Sequence, residues 1–160
     1  MPIFNRYFLV PDPNTPKSGT FGHNVLFNAG PRLPVEVKVP NALANYLTHK
    51  GQPVPSPVSG EALVDTGASV SCVDETVMEK FGVNPVGIAQ VGTPSTARTP
   101  QFQYPVLFAF PGTTLPQIEI AHALGSVLEP QGLLVLIGRD ILSNFVFIYN
   151  GVGGFVTLSY

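Results

Sequence analysis

Ala62-Leu63-Val64-Asp65-Thr66-Gly67-Ala68-Ser69 is the stretch on which the fold of this 160-residue chain turns. Three apolar residues lead into an acid, a hydroxyl, a glycine and two small side chains. A carboxylate that does chemistry needs a fixed orientation at a strand end facing a cleft, and Asp65 is placed for that. Gly67 lets the backbone turn tightly and lets other chains approach closely. Thr66 offers a hydroxyl able to brace a matching loop in a second subunit, while Ala68 and Ser69 are small enough to floor a groove. Alone, Asp-Thr-Gly is a turn. Its flanks and a second segment change the odds.

That second segment is Leu133–Phe145, LLVLIGRDILSNF. A short apolar run reads as a strand buried on both faces. It ends at Gly138, where a side chain is excluded, and Arg139-Asp140 then opens a short helix. An apolar strand into Asp-Thr-Gly-Ala-Ser, followed some seventy residues later by apolar-apolar-Gly-Arg-Asp, resembles the retropepsin family of aspartic peptidases. The tail, GRDILSNFVFIYNG and GFVTLS, is also similar to cellular DNA-damage-inducible and bacterial single-domain members. The likeness runs from about Pro31 to Tyr160.

By that resemblance, Asp65 is the catalytic aspartate, supported by Thr66, Gly67, Ala68 and Ser69 in the loop around it. Gly138 lies where a strand threads past this loop, and Arg139 and Asp140 hold the short helix against the core. The hairpin over about residues 87–104 is a flap, with Val91, Gly92, Thr93 and Pro94 facing a bound peptide and a polar tip from Gly92 to Pro100. Ser69 and Val70 stand where retroviral members usually carry an acidic pair, so Arg139 is expected to find its partner in Asp74 or Asp140. Residues 41–60 form an insertion relative to short retroviral enzymes. The implied architecture is mainly β: a closed acid-protease barrel with one short helix or two, assembled as a C2 dimer.

One aspartate per chain implies two chains. Hydrolysis of this kind needs two carboxylates sharing one proton, since like charges about 3 Å apart cannot both ionise. None of the other acids (Asp12, Glu36, Glu61, Asp74, Glu75, Glu79, Glu119, Glu129, Asp140) follows a strand within a Thr-Gly turn. A twofold axis bringing two Asp65 carboxyls together is the simpler solution. Phe145–Tyr160 is the expected interface, because chain ends build the intersubunit sheet in the family. The expected activity is that of an aspartic endopeptidase acting on peptide or protein; the alternative is a silent module of the same fold that binds extended peptides or mediates dimerisation.

Composition agrees. Apolar residues make up 44% of the chain, enough for a core, but charged residues only 11%, against about 25% on average. So uncharged a surface suits partial coverage by a second subunit. The net charge of −2 comes without basic clusters, which argues against nucleic acid or an anionic membrane as partner. The longest apolar run is too short to span a bilayer, and MPIFNRYFLVPDPN has no signal-peptide pattern. A single cysteine, Cys72, allows no intrachain disulfide. A cytoplasmic setting follows as the expectation.

Other chemistry is poorly supported. His23, His49 and His122 have no ligand-like spacing, so no metal and no cofactor is expected. Cys72 follows the turn in an apolar run, where thiols are inert, and Ser69 and Ser71 lack a nucleophile-elbow context. Gly151, Gly153 and Gly154 are turn glycines.

The 17 prolines and 16 glycines cut the chain into short segments. Residues 1–20 read as an N-terminal arm, with a loop over 11–20, and 21–160 as one domain. Strands are expected at Val25–Asn28, Pro34–Val39 with Val35, Val37 and Val39 on one face, Glu61–Val64, Val70–Val73, Val86–Val91, Phe102–Phe110, Gln117–Ala123 and Leu133–Ile137. Helices are expected over Asn41–Lys50, over Glu75–Phe81 with Asp74 as cap and Gly82 as stop, and for a turn or two in Ile141–Phe145. Asn150-Gly151 marks a terminal hairpin.

Overall fold

The computed structural model describes residues 1–12, 15–93 and 96–160, with side chains described outside positions 11–21, 23 and 93–96. Chain order begins with β1 (Ile3–Tyr7), β2 (Leu9–Asp12), β3 (Thr15–Phe21), α1 (His23–Ala29), β4 (Arg32–Lys38) and α2 (Asn41–His49). Next come β5 (Val58–Val64), β6 (Cys72–Asp74), α3 (Glu75–Phe81), β7 (Gly87–Thr93), β8 (Thr96–Ala109) and β9 (Ile118–Ser126). A 3-10 turn (Glu129–Gln131), β10 (Val135–Ile137), α4 (Arg139–Leu142), β11 (Val146–Asn150) and β12 (Phe155–Ser159) complete it. No helix among the described residues is long and apolar enough to cross a membrane.

The main sheet runs β4-β5-β10-β6-β9-β8-β7, and an extra β4–β8 pairing joins six of these strands into a ring. Alternation drives it. In β4, Leu33, Val35 and Val37 are buried while their neighbours are only half-buried. These residues meet Val73, Val106, Phe108, Val135 and Ile137 in the principal core. The short β10 lies parallel to β5 (Ile137 opposite Val64) and antiparallel to β6 (Val135 opposite Val73). Val135 and Ile137 are fully buried, whereas Leu134 and Leu136 on the other face are half-buried.

Local signals held where they were specific. Asp74 accepts the Thr76 N–H at the start of α3, and Gly82 ends that helix at φ 66°. The terminal hairpin forms as expected, though its loop spans residues 151–154 between Asn150 and Phe155, with the Gly153 N–H donating to Asn150 Oδ1 at 2.7 Å.

Four expectations need correction. Val25–Asn28 lies in helix α1, not a strand: Val25, Leu26 and Ala29 share one helical face against Phe8, Phe147 and Val156. With α1, the described residues form four α-helices rather than one short helix or two. Of residues 11–20, read as a loop, 11–12 and 15–20 enter β2 and β3, a two-stranded ribbon in which every strand is an edge and tolerates Pro11 and Pro16; 13 and 14 lie outside the described residues. The polar tip expected over Gly92–Pro100 is mostly paired, Gln90 facing Pro100 and Thr93 facing Thr96, with a register shift between Val91 and Thr93. Ribbon edges again admit the proline. Pro94 lies outside the described residues. β1 pairs along its whole length with β12, and Arg6 on it is tied to Glu61 at 2.6 Å.

Gly138 is the tightest crossing. A Cβ there would sit 2.7 Å from the Val70 carbonyl carbon and 2.9 Å from both Ser71 N and Val70 O. Backbone cannot swing aside as a side chain can. Gly138→Ala is expected to destabilise the chain by about 2–3 kcal/mol or more, read as a lower urea midpoint at unchanged m-value.

Candidate active site

Asp65 leaves β5 as the ladder ends: its N–H still donates to Ile137 O at 2.9 Å, continuing the parallel pairing with β10. The chain then folds back on itself. The Gly67 and Ala68 N–H groups donate to Asp65 Oδ1 at 2.8 and 3.3 Å, and Ala68 N also reaches Asp65 O at 3.2 Å. One carboxylate oxygen is thereby fixed by the local turn. The other, Oδ2, accepts no hydrogen bond among the described residues. Asp65 is half-buried and Thr66, Gly67 and Ser69 are exposed.

Beneath this turn, α4 supplies three ties. Arg139 N–H donates to Ala68 O at 3.0 Å, and Arg139 Nη1 donates to Thr66 O at 2.7 Å and Gly67 O at 3.0 Å. Asp140 accepts from Ser71 N at 2.9 Å and from the Ser71 hydroxyl at 2.7 Å. Ser71 Oγ in turn accepts the Gly138 N–H at 2.9 Å. The expectation that Arg139 pairs with Asp74 or Asp140 is therefore corrected. Two carbonyls of the turn take the guanidinium, Ser71 engages Asp140, and Asp74 is consumed elsewhere. Five donors in a planar fork suit two adjacent carbonyls.

Ser71 is the residue that sequence inspection set aside. Fully buried, it is the hinge through which the Asp65 turn, the β10 crossing and α4 are joined. Its signal was faint: a hydroxyl six residues after the aspartate in an otherwise apolar run.

Electrostatics separate the acids. Burial pushes the Asp74 carboxyl up, but hydrogen bonds from the Thr76 hydroxyl and from the Leu128, Glu129 and Thr76 N–H groups outweigh it and hold it below the usual carboxylate value. Burial pushes the Cys72 thiol up; a hydrogen bond with Ser126 partly offsets this, and the nearby Asp140 and Asp65 charges add to it. A neutral, buried thiol is no nucleophile. No three His, Cys, Asp or Glu side chains come together as a metal-binding group among the described residues. Two surface cavities of about 530 and 560 Å³ lie along Glu119–Ala121, and neither is lined by Asp65.

Ala89 and Val91 of the β7–β8 hairpin pack against a buried cluster of Cys72, Leu124, Leu128 and Leu133, against which Leu63, Val70 and Leu136 also pack. Gly92 is exposed beyond them and Thr93 closes β7.

No protein-family model matches the chain, and no curated protein matches it. Among solved structures it is similar to the solution structure of Simian Foamy Virus (mac) protease, at 21% identity and TM-score 0.40 over 69% of this chain and 91% of that one. It is also similar to a retropepsin-like aspartic protease from Rickettsia conorii, at 14% identity and TM-score 0.48 over 99% of this chain and 92% of that one.

Ser71→Ala should leave both Asp140 and the Gly138 N–H short of a partner, a loss of about 1–3 kcal/mol measurable by chemical denaturation. For Asp74, the folded value lies below the unfolded one, so its contribution is complete above about pH 4 and fades as pH falls through the folded value. The stability gap between wild type and Asp74→Asn should accordingly shrink between pH 6 and pH 3 in denaturant melts.

Proposed function

We propose that the chain is one subunit of an aspartic endopeptidase in which the Asp65 carboxyls of two copies meet across a twofold axis. The observation that carries this is the asymmetry of Asp65: Oδ1 is held by two backbone N–H groups, and Oδ2 has no partner among the described residues of its own chain. An acid so oriented, at the mouth of a strand end, is complete only when another group faces it. Asp140 is bound to Ser71 and Asp74 is buried, so neither serves.

In the dimer the two carboxyls share one proton. The ionised member takes a proton from a water, which attacks the scissile carbonyl, while the protonated member hydrogen-bonds the carbonyl oxygen. The apparent pKa values belong to the pair. Arg139 stiffens the turn through its hydrogen bonds to Thr66 O and Gly67 O, and Thr66 braces the partner's turn across the axis. The β7–β8 hairpin acts as the flap, with Val91, Gly92 and Thr93 over an extended peptide.

The outward face of the β1-β12-β11 sheet is the proposed subunit contact. Ile3, Tyr7, Val146 and Ile148 are each about half exposed or more (47, 53, 62 and 49%) and lie on one face by register. Apolar side chains so grouped favour burial against a second copy. The cytoplasm is the proposed setting, since the one thiol leaves no disulfide to protect.

Asp65→Asn is expected to lower the cleavage of an unfolded protein at least about 10³-fold while the dimer persists in sedimentation. Wild-type activity should peak on the acid side of neutrality, because one proton must stay on the pair. Full activity in Asp65→Asn, or in a species proven monomeric, would exclude the mechanism. Binding of a tetrahedral-intermediate mimic without turnover from about pH 4 to 7 would point instead to the silent peptide-binding module.

A further inference from the structure

Asp74 is 1% exposed, and no cation pairs with it among the described residues. Its two oxygens are divided between different tasks. Oδ1 accepts from the Thr76 N–H at 3.0 Å and from the Thr76 hydroxyl, capping α3. Oδ2 accepts from the Leu128 and Glu129 N–H groups, both at 2.8 Å, more than fifty residues along the chain. A helix cap uses one oxygen, and serine or threonine supplies it as well. The second oxygen is surplus to capping, and burying a carboxylate without a cation is costly unless its hydrogen bonds are of good quality.

Leu128 and Glu129 belong to the connection from β9 to β10, residues 127–134. Leu128 and Leu133 form one buried cluster with Cys72 and Leu124, and Val70, just past the Asp65 turn, and Ala89 and Val91 of the β7–β8 hairpin pack against it. Val127, next to Leu128, is 68% exposed. The loop is thus packed into the same cluster as the hairpin and the residues after the turn, and the buried Asp74 holds it there through its backbone.

We infer that Asp74 is a positioning residue for the peptide cleft: its second oxygen holds the 127–134 wall at the height where Val127 and Leu128 border a bound peptide. The inference rests on the endopeptidase reading and adds to it the element that shapes the substrate side pocket. A charged acceptor gripping two successive backbone N–H groups prepays the ordering of the loop. Release it, and each peptide must order the wall on binding. The effect then falls on substrate affinity, while Asp65 and its turn are untouched.

The test is Asp74→Ser in the full-length protein. Serine keeps a cap oxygen for Thr76 and is too short to serve Leu128 and Glu129. Hydrogen exchange followed by NMR should show the Thr76 amide still protected and the Leu128 and Glu129 amides exchanging about tenfold faster or more. KM for an extended peptide should rise about tenfold with kcat within about twofold. Faster exchange at those two amides with KM unchanged would overturn the positioning role, as would a fall confined to kcat. Should the serine variant fail to fold, Asp74→Asn, which keeps the length and one acceptor, carries the same comparison. If wild type cleaves nothing, the endopeptidase reading fails separately. The positioning role is then decided by the affinity of a hydroxyethylene-containing peptide for wild type and variant, with equal affinities overturning it.

Discussion

Everything around the candidate site depends on a strand passing under a turn. β10 is inserted between β5 and β6, so the chain linking those two strands must arch over its end. That arch is the Asp65 turn. The crossing is so close that only a residue without a side chain fits at position 138, and the polar groups exposed by the crossing are met by one serine and one aspartate, Ser71 and Asp140. The turn, the strand and α4 thus form a single unit, and Asp65 inherits its rigidity from it. A carboxylate on a mobile loop would have to be ordered at each encounter; here the ordering is built into the fold.

The chain economises on charge in a consistent way. Its acids are neutralised by backbone N–H groups more than by cations. Asp65, Asp74 and Asp140 each accept from at least two such groups, while the described ion pairs are Arg6–Glu61 and Lys38–Glu36. Arg139 likewise spends its guanidinium on carbonyls. Peptide dipoles are already in place and need little side-chain ordering, so acids held this way are well suited to precise geometry.

Two surfaces of the single chain carry exposed apolar side chains, and one of them is the proposed subunit contact. The outward face of the terminal sheet carries exposed apolar side chains, and the hairpin exposes Ile88 and Phe102 on the face opposite Ala89 and Val91. Ser159, on the same outward face and almost buried, has a hydroxyl without a partner among the described residues. These features agree with the low charge content noted at the outset.

By itself the amino-acid sequence determined what depends on near neighbours and on residue chemistry. Alternation in Val35, Val37 and Val39, the Asp74 cap with its Gly82 stop, the strand entering Asp-Thr-Gly and the need for glycine at 138 were all legible, because each expresses a local backbone preference or a steric rule. Tertiary structure alone decided the rest. Val25–Asn28 has the composition of a strand, and burial of Leu26 between Phe8 and Val156 makes it helical. Prolines read as breakers at 11, 16 and 100 sit in ribbons whose open edges admit them. The partners of Arg139, the hinge role of Ser71 and the second grip of Asp74 join residues fifty to seventy positions apart. No local pattern encodes such distances, since they exist only once β10 has passed between its two neighbours.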